Sequence, residues 1–290
     1  MPTLEALNKA SFCNVKAVIT QPDKAVGRHH SKPIPSPIKQ AAQALNLPVL
    51  EGLDSLRGIA CLPARQEADM GVVVAFGAIL PQWVIDKFPL GIVNIHPSLL
   101  PKYRGTSPIQ GAILNQEKET GVTIIKLDDE MDHGPILAQQ TVGAENFLPL
   151  QETTAGELYD KLFQMGADLL IKILPDYIAG KIELKPQDDS LATFTKKLSK
   201  EDGKIDWIKS PAEIHAHVRA MNPWPGAWTI WSSFAKASAD KQDKRLIIWK
   251  TSLVGTSLQI DEIQMEGKKK MAFAEFTRGY PDFRQQNLTQ

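Results

Sequence analysis

Three side chains stand out by type and spacing: Asn94, His96 and Asp132. Attack of an amine on a formyl or acyl carbon builds negative charge on the carbonyl oxygen. An amide N–H and a protonated imidazole stabilise such an oxyanion. A nearby carboxylate favours the charged imidazole and accepts the proton that the amine gives up, directly or through water. Asn94 and His96 are two apart in the run Gly91-Ile92-Val93-Asn94-Ile95-His96, so on a strand both face the same way. Asp132 lies in the acidic segment Asp128-Asp129-Glu130-Met131-Asp132-His133-Gly134, between strand-like runs at 122–127 and 136–140. Spacing alone leaves a second reading open, in which Asn94 caps the strand, His96 sits satisfied in the core and the acidic loop is solvated.

The elements that must carry these residues alternate between strand and helix, which argues for an α/β layer fold. Strands are expected at 15–20, 48–50, 71–75 and 91–96, with a helix opened by Ser36-Pro37 and running to Leu45. Gly71-Val72-Val73-Val74-Ala75 is continuously apolar, the pattern of a strand buried on both faces. The strand at 91–96 ends in polar residues, and open parallel sheets place ligands at strand ends. A long helix follows the acidic loop and the next strand. Thr154 and Glu157 have capping-box spacing, and Leu158, Leu162, Met165, Leu169 and Ile173 form an apolar stripe.

Residues 180–191 read as a linker, dividing a domain at 1–179 from a second at 192–290. In the second, Ser210-Pro211-Ala212-Glu213 combines an N-cap, a first-turn proline and a capping glutamate, with Ile214, Val218 and Met221 facing one way. Short β-like runs at 227–231, 246–249 and 258–263 suggest a small barrel. Residues 232–244 form a long polar loop and 282–290 a disordered tail by the same reasoning. Trp224 and Trp228 flank Pro225-Gly226-Ala227 and read as core rather than as stacking platforms. His215 and His217, two apart on a helix, are badly spaced to share a metal.

The chain has 290 residues, 43% of them hydrophobic, and a formal net charge of zero. Nothing resembles a signal peptide or a membrane span, so a soluble cytoplasmic protein is expected. Cys13 and Cys61 have no partner spacing for metal or redox work, and no metal is expected. Residues up to 191 carry an acidic excess and the remainder a basic one, which suggests an anionic partner for the back domain.

Asn94-Ile95-His96-Pro97-Ser98-Leu99-Leu100-Pro101-Lys102-Tyr103-Arg104-Gly105 resembles the signature of folate-dependent formyltransferases. Thr120-Gly121-Val122-Thr123-Ile124 and Met131-Asp132-His133-Gly134-Pro135-Ile136 extend the likeness. The resemblance implies catalytic roles for Asn94, His96 and Asp132. It implies folate contacts at Ser98, Leu99, Leu100 and Pro101, and at Phe76, Gly77 and Ile79 in a second pteridine-side loop. Pro97 and Pro101 fix an extended loop beyond the strand end. Arg104 is either an anion contact or a clamp within the loop. The implied co-substrate is 10-formyltetrahydrofolate.

The stretch from Gln21 through Arg28 to Pro37 is similar to the acceptor-stem loop of the tRNA-modifying branch of that family, with Arg28 at its key position. His29 and His30 stand where that branch has glycine and lysine, and Lys32 is a partial replacement. Segments around 198–207, 219–228, 264–271 and 276–280 look like that branch's C-terminal, OB-like, tRNA-contacting domain, with Lys268, Lys269 and Lys270 as candidate phosphate contacts. The resemblance thus implies formylation of the α-amine of methionyl initiator tRNA by a monomer. A nucleotide amino sugar as acceptor, or a non-catalytic RNA-binding remnant, are the competing expectations. Family members have a strand and a Gly-Thr-Pro loop before the helix that matches residues 2–10. The sequence here starts at that helix, so the expected fold is a Rossmann-like, mostly parallel sheet without that first strand, plus the small barrel.

Overall fold

The computed structural model describes residues 1–25, 33–55, 68–143, 150–231, 244–281, 283 and 288–289. Arg28, Lys32, Cys61, residues 232–243 and most of the tail from 282 lie outside the described residues, while Lys244, the last residue of the expected loop, opens a strand. In chain order the first elements are α1 (Pro2–Lys9), β1 (Val18–Thr20), β2 (Lys24–Ala25), β3 (Pro33–Ile34), α2 (Pro37–Ala44), β4 (Val49–Glu51), β5 (Gly71–Val73) and α3 (Gln82–Ile85). Then come β6 (Ile92–His96), β7 (Arg104–Gly105), α4 (Pro108–Leu114), β8 (Glu119–Lys126), β9 (Ile136–Gly143) and the long α5 (Ala155–Ile178). The remainder is β10 (Phe194–Thr195), α6 (Pro211–Ala220), β11 (Ala227–Trp231), β12 (Lys244–Val254), β13 (Ser257–Met265), β14 (Met271–Ala272), α7 (Phe273–Gly279) and β15 (Leu288–Thr289).

These form two compact units. One comprises Met1–Arg104, Gly121–Thr141 and Lys161–Thr193; the other Gly105–Thr120, Val142–Asp160 and Phe194–Gln290. The first is a Rossmann-like α/β layer. Its strands form two main ladders, a parallel pair β1–β4 and a sheet ordered β5-β6-β8-β9, with a short antiparallel pair β2–β3 in addition. β5 runs parallel to β6, while β8 is antiparallel to it, with His96 opposite Thr123 and Asn94 opposite Ile125. All five residues of β6 are buried. β5 is only half-buried, despite its apolar sequence, because it stands at the edge of its sheet. Ile19 of β1 and Val73 of β5 pack on one cluster with Val84, Ile85 and Ile92, so the two ladders share a core.

Local signals set the helix ends. Ser36 accepts from the Lys39 N–H at the start of α2, and Thr154 and Glu157 bond reciprocally at the start of α5. These bonds hold the Glu157 carboxyl below the usual carboxylate range. The buried face of α5 runs through Leu158, Leu162, Phe163, Ala167, Leu170 and Leu174, with Leu169 beside it. Met165 and Ile173 of the expected stripe are half-buried, so the buried stripe is rotated toward Phe163 and Leu170. Gly166 sets how closely this helix meets β6: a Cβ there would lie 2.4 Å from Ile95 Cγ2.

The second unit is built on a five-stranded sheet ordered β14-β13-β12-β11-β15, with α6 and α7. The Ser210–Glu213 capping box forms, and Ile214, Val218 and Met221 are buried as their spacing predicts. Trp231 meets Phe276, Tyr280 and Phe283 edge-on, at centroid distances of 5.5 to 6.0 Å. Trp228 is core, 7% exposed, but Trp224 is 52% exposed, which overturns the core expectation for it. The Gly226 N–H donates to the Met221 carbonyl and closes a turn that carries Trp224 outward at its tip. Among the described residues no helix is long and apolar enough to cross a membrane.

Candidate active site

β6 delivers Asn94 and His96 to one face of the sheet, and the loop between β8 and β9 brings Asp132 to them. His96 Nδ1 lies 3.5 Å from Asp132 Oδ1, and Asn94 Nδ2 lies 3.4 Å from the same oxygen. The other ring nitrogen, Nε2, lies 3.0 Å from the Tyr103 carbonyl oxygen. A carbonyl only accepts, so Nε2 carries a hydrogen. The Nδ1 edge is therefore the one that faces the amide and the carboxylate. His96 is buried and Asp132 nearly so, and in such surroundings oriented dipoles and charges act more strongly than in water.

The loop after β6 is clamped from three directions. Ser98 Oγ donates to the Lys102 carbonyl at 2.7 Å. The Thr123 hydroxyl of β8 donates to the Ser98 carbonyl at 2.6 Å and accepts from the Leu100 N–H at 3.1 Å. Gln139 of β9 donates to both the Leu100 carbonyl and Thr123 Oγ1. The Ser98 side chain is thus committed to its own loop and fully buried, and Leu100 is buried too. Leu99 and Pro101 are the half-exposed members of the stretch. Thr123 and Gln139 are the clamps that sequence reasoning missed; a polar residue in a strand gives no sign of the loop it will hold.

In the second expected folate loop, Phe76 is half-buried and Ile79 is 67% exposed. Ala75 and Gly77 both adopt left-handed backbone angles, and Gln21 Nε2 donates to the Phe76 carbonyl at 3.3 Å.

Arg104 is a clamp within the first unit. Its Nε and Nη2 both donate to Gln187 Oε1, at 3.1 and 2.9 Å, and Nη2 also donates to Asp189 Oδ1 at 2.7 Å. The Arg104 guanidinium holds the Asp189 carboxyl below the usual range. Gln187 in turn donates to the carbonyls of Asp132 and Gly134. The segment expected as a linker is therefore packed against the loop that carries Asp132. His133, beside it, bonds Asp128 at 2.7 Å, and that carboxylate pushes its imidazole above the ordinary histidine value. Among the described residues no set of three His, Cys, Asp or Glu side chains converges as metal ligands.

In the second unit, Lys268, Lys269 and Lys270 sit exposed on the turn after β13, which Gly267 makes with a left-handed φ. Lys270 pairs with Glu262 and lies over the Trp249 ring at 5.6 Å. The turn thus carries an exposed group of cations at the end of β13.

Residues 2–174 match the formyl transferase family, and residues 197–257 match the formyl transferase C-terminal domain. Methionyl-tRNA formyltransferase of Chloroflexus aurantiacus is 51% identical over 231 residues, which covers 79% of this chain and 72% of that protein. The protein of the same name from Roseiflexus castenholzii is 43% identical over 292 residues, covering 95% of this chain and 91% of the other. Among solved structures, an N-formyltransferase from Helicobacter canadensis, in complex with folinic acid and dTDP-3-aminofucose, has a TM-score of 0.59 at 21% identity. That alignment covers 93% of this chain and 94% of the other, a likeness of fold. With both family regions in order along one chain, and with identities of this size over most of its length, the chain belongs to the methionyl-tRNA formyltransferase family of formyl transferases.

Proposed function

We propose that this chain transfers the formyl group of 10-formyltetrahydrofolate to the α-amine of methionyl initiator tRNA, at the start of translation. The observation that carries the reading is the convergence of an amide, an imidazole and a carboxylate at the end of β6, in a chain 51% identical to a methionyl-tRNA formyltransferase. Asn94 Nδ2 and, in the protonated imidazole, His96 Nδ1 are the donors for the oxyanion that forms when the amine attacks the formyl carbon. Asp132 holds both donors and takes the proton that the amine loses, after which the folate nitrogen leaves with a proton returned to it. The α-amine has an ordinary pKa near about 8, so a neutral nucleophile is present near neutral pH.

Leu99, Leu100 and Pro101, on the loop whose start Ser98 fixes, form one wall of the folate slot, and Phe76, Gly77 and Ile79 the other. Clamping by Thr123 and Gln139 supports this, because it fixes the loop before a ligand arrives, so that the half-exposed Leu99 and Pro101 need no ordering on binding. Arg28 and Lys32 contact the acceptor stem, and Lys268, Lys269 and Lys270 neutralise phosphates. Residues 1–179 act as the catalytic domain, 180–191 as its connection, and 192–290 as an OB-like tRNA-binding domain. By the family resemblance the chain acts as a monomer, and initiation is cytoplasmic work.

Transfer of labelled formyl from 10-formyltetrahydrofolate tests the reading, with charged initiator tRNA and a nucleotide amino sugar as competing acceptors. Label on the methionyl-tRNA is the expected outcome. Label on the sugar alone would overturn the acceptor, and label on neither would overturn the enzyme.

A further inference from the structure

Asp132 holds a left-handed backbone angle, φ 52°, which is unfavourable for a residue with a Cβ. From that conformation of the loop its carboxylate reaches His96 and Asn94, so whatever holds the backbone there bears on the site. The contacts of Gln187 do this. Its Nε2 donates to the Asp132 carbonyl at 2.9 Å and to the Gly134 carbonyl at 2.8 Å, on either side of His133. Its Oε1 accepts twice from Arg104. Carbonyls only accept and a guanidinium only donates, so one orientation of the Gln187 amide satisfies all four bonds.

The network closes on the same imidazole from its other side. Arg104 follows Tyr103, whose carbonyl takes the hydrogen of His96 Nε2. Tyr103 is itself held in a left-handed conformation, with Thr193 Oγ1 accepting from its N–H at 2.8 Å and the Thr193 carbonyl accepting from the Arg104 N–H at 2.8 Å. The segment 187–193 therefore fixes both partners of the imidazole: the carbonyl on Nε2 through Thr193, and the carboxylate on Nδ1 through Gln187. Arg104 is buried, and it supplies the charge that makes the Gln187 amide rigid.

We propose that Gln187, oriented by Arg104, is a positioning residue that sets the Asp132 carboxylate against His96 for formyl transfer. This rests on the catalytic reading of Asp132 given above. Methionine at 187 keeps the length of the side chain and removes all four hydrogen bonds. Glutamate keeps the acceptor toward Arg104 but turns an oxygen on two carbonyls, so it separates hydrogen bonding from volume.

The test is a double-mutant cycle on the full chain with Q187M, D132N and Q187M/D132N, measured by steady-state and single-turnover formyl transfer to methionyl-tRNA, with thermal melting alongside. Q187M is expected to lower kcat about tenfold or more, with KM for both substrates within about twofold. In the D132N background the same substitution should cost less than about threefold, because there is no carboxylate left to position. Q187E should follow Q187M, and it carries the comparison if the methionine variant melts too early to assay. Equal factors in both backgrounds, or a loss confined to KM, would overturn the positioning role and leave the catalytic reading standing. Undiminished turnover of D132N would overturn both.

Discussion

His96 is held at both ring nitrogens, and the partner on Nδ1 is Asp132, whose Oδ1 lies 3.5 Å away and also receives Asn94. One carboxylate oxygen therefore orients both groups proposed to stabilise the oxyanion. Replacing it by an amide keeps the shape but puts a donor or a neutral acceptor against the imidazole. Asp132→Asn and His96→Ala are each expected to lower kcat by about two orders of magnitude or more, with the melting temperature and tRNA affinity little changed. Single-turnover rates and filter binding read the two effects separately.

Gly134 ends the loop that carries Asp132. A Cβ on it would lie 1.8 Å from the Lys126 carbonyl oxygen, a backbone atom that cannot swing aside. Gly134→Ala is expected to destabilise the fold by about 1–3 kcal/mol, as overpacking does. It should lower kcat as well, since the loop must move away from β8 and Asp132 moves with it. Chemical denaturation and turnover on the same preparation check the prediction, and unchanged kcat would show that the loop absorbs the shift elsewhere.

His215 and His217 are both pushed below the ordinary histidine value, in each case first by burial; for His215 the Arg219 guanidinium adds to the effect and Glu152 opposes it. A depressed folded value means stability that is present above the ordinary pKa of about 6.5 and lost as pH falls through the folded value. These two groups are therefore expected to lower the melting temperature as pH falls below about 6.5. His215→Asn retains a polar group toward Thr251 Oγ1, the present partner of His215 Nδ1 at 2.9 Å, and should flatten part of that drop.

Trp231 anchors the second unit through its edge-on contacts with Phe276, Tyr280 and Phe283. Trp231→Ala is expected to cost about 3–5 kcal/mol, the range for losing a large buried aromatic side chain. Denaturant unfolding followed by tryptophan fluorescence of the remaining indoles measures it. A loss under about 1 kcal/mol would mean that α7 does not depend on this cluster.

Much of the scaffold was legible in the chain itself. The caps at Ser36, Thr154 and Ser210 act within three residues, so their signals are complete in a short stretch. Alternation placed Asn94 and His96 on one face of a buried strand, because side-chain direction in a strand depends only on parity. The order of motifs around 94–105 and 131–136 gave the family resemblance that the comparisons then bore out.

Tertiary structure decided the rest. Gln187 lies in what reads as a polar connector, and nothing near it in sequence shows that it will meet Arg104 and Asp132. Thr123 and Gln139 are ordinary strand residues until the loop at 98–101 folds over them. Trp224 points outward and β5 is half-exposed, although local composition favours burial of both, because a turn tip and a sheet edge are properties of the assembled layers. Periodicity and capping are short-range and can be read from neighbours along the chain. Which donor meets which acceptor across the fold depends on where distant segments come to rest, and only the folded chain fixes that.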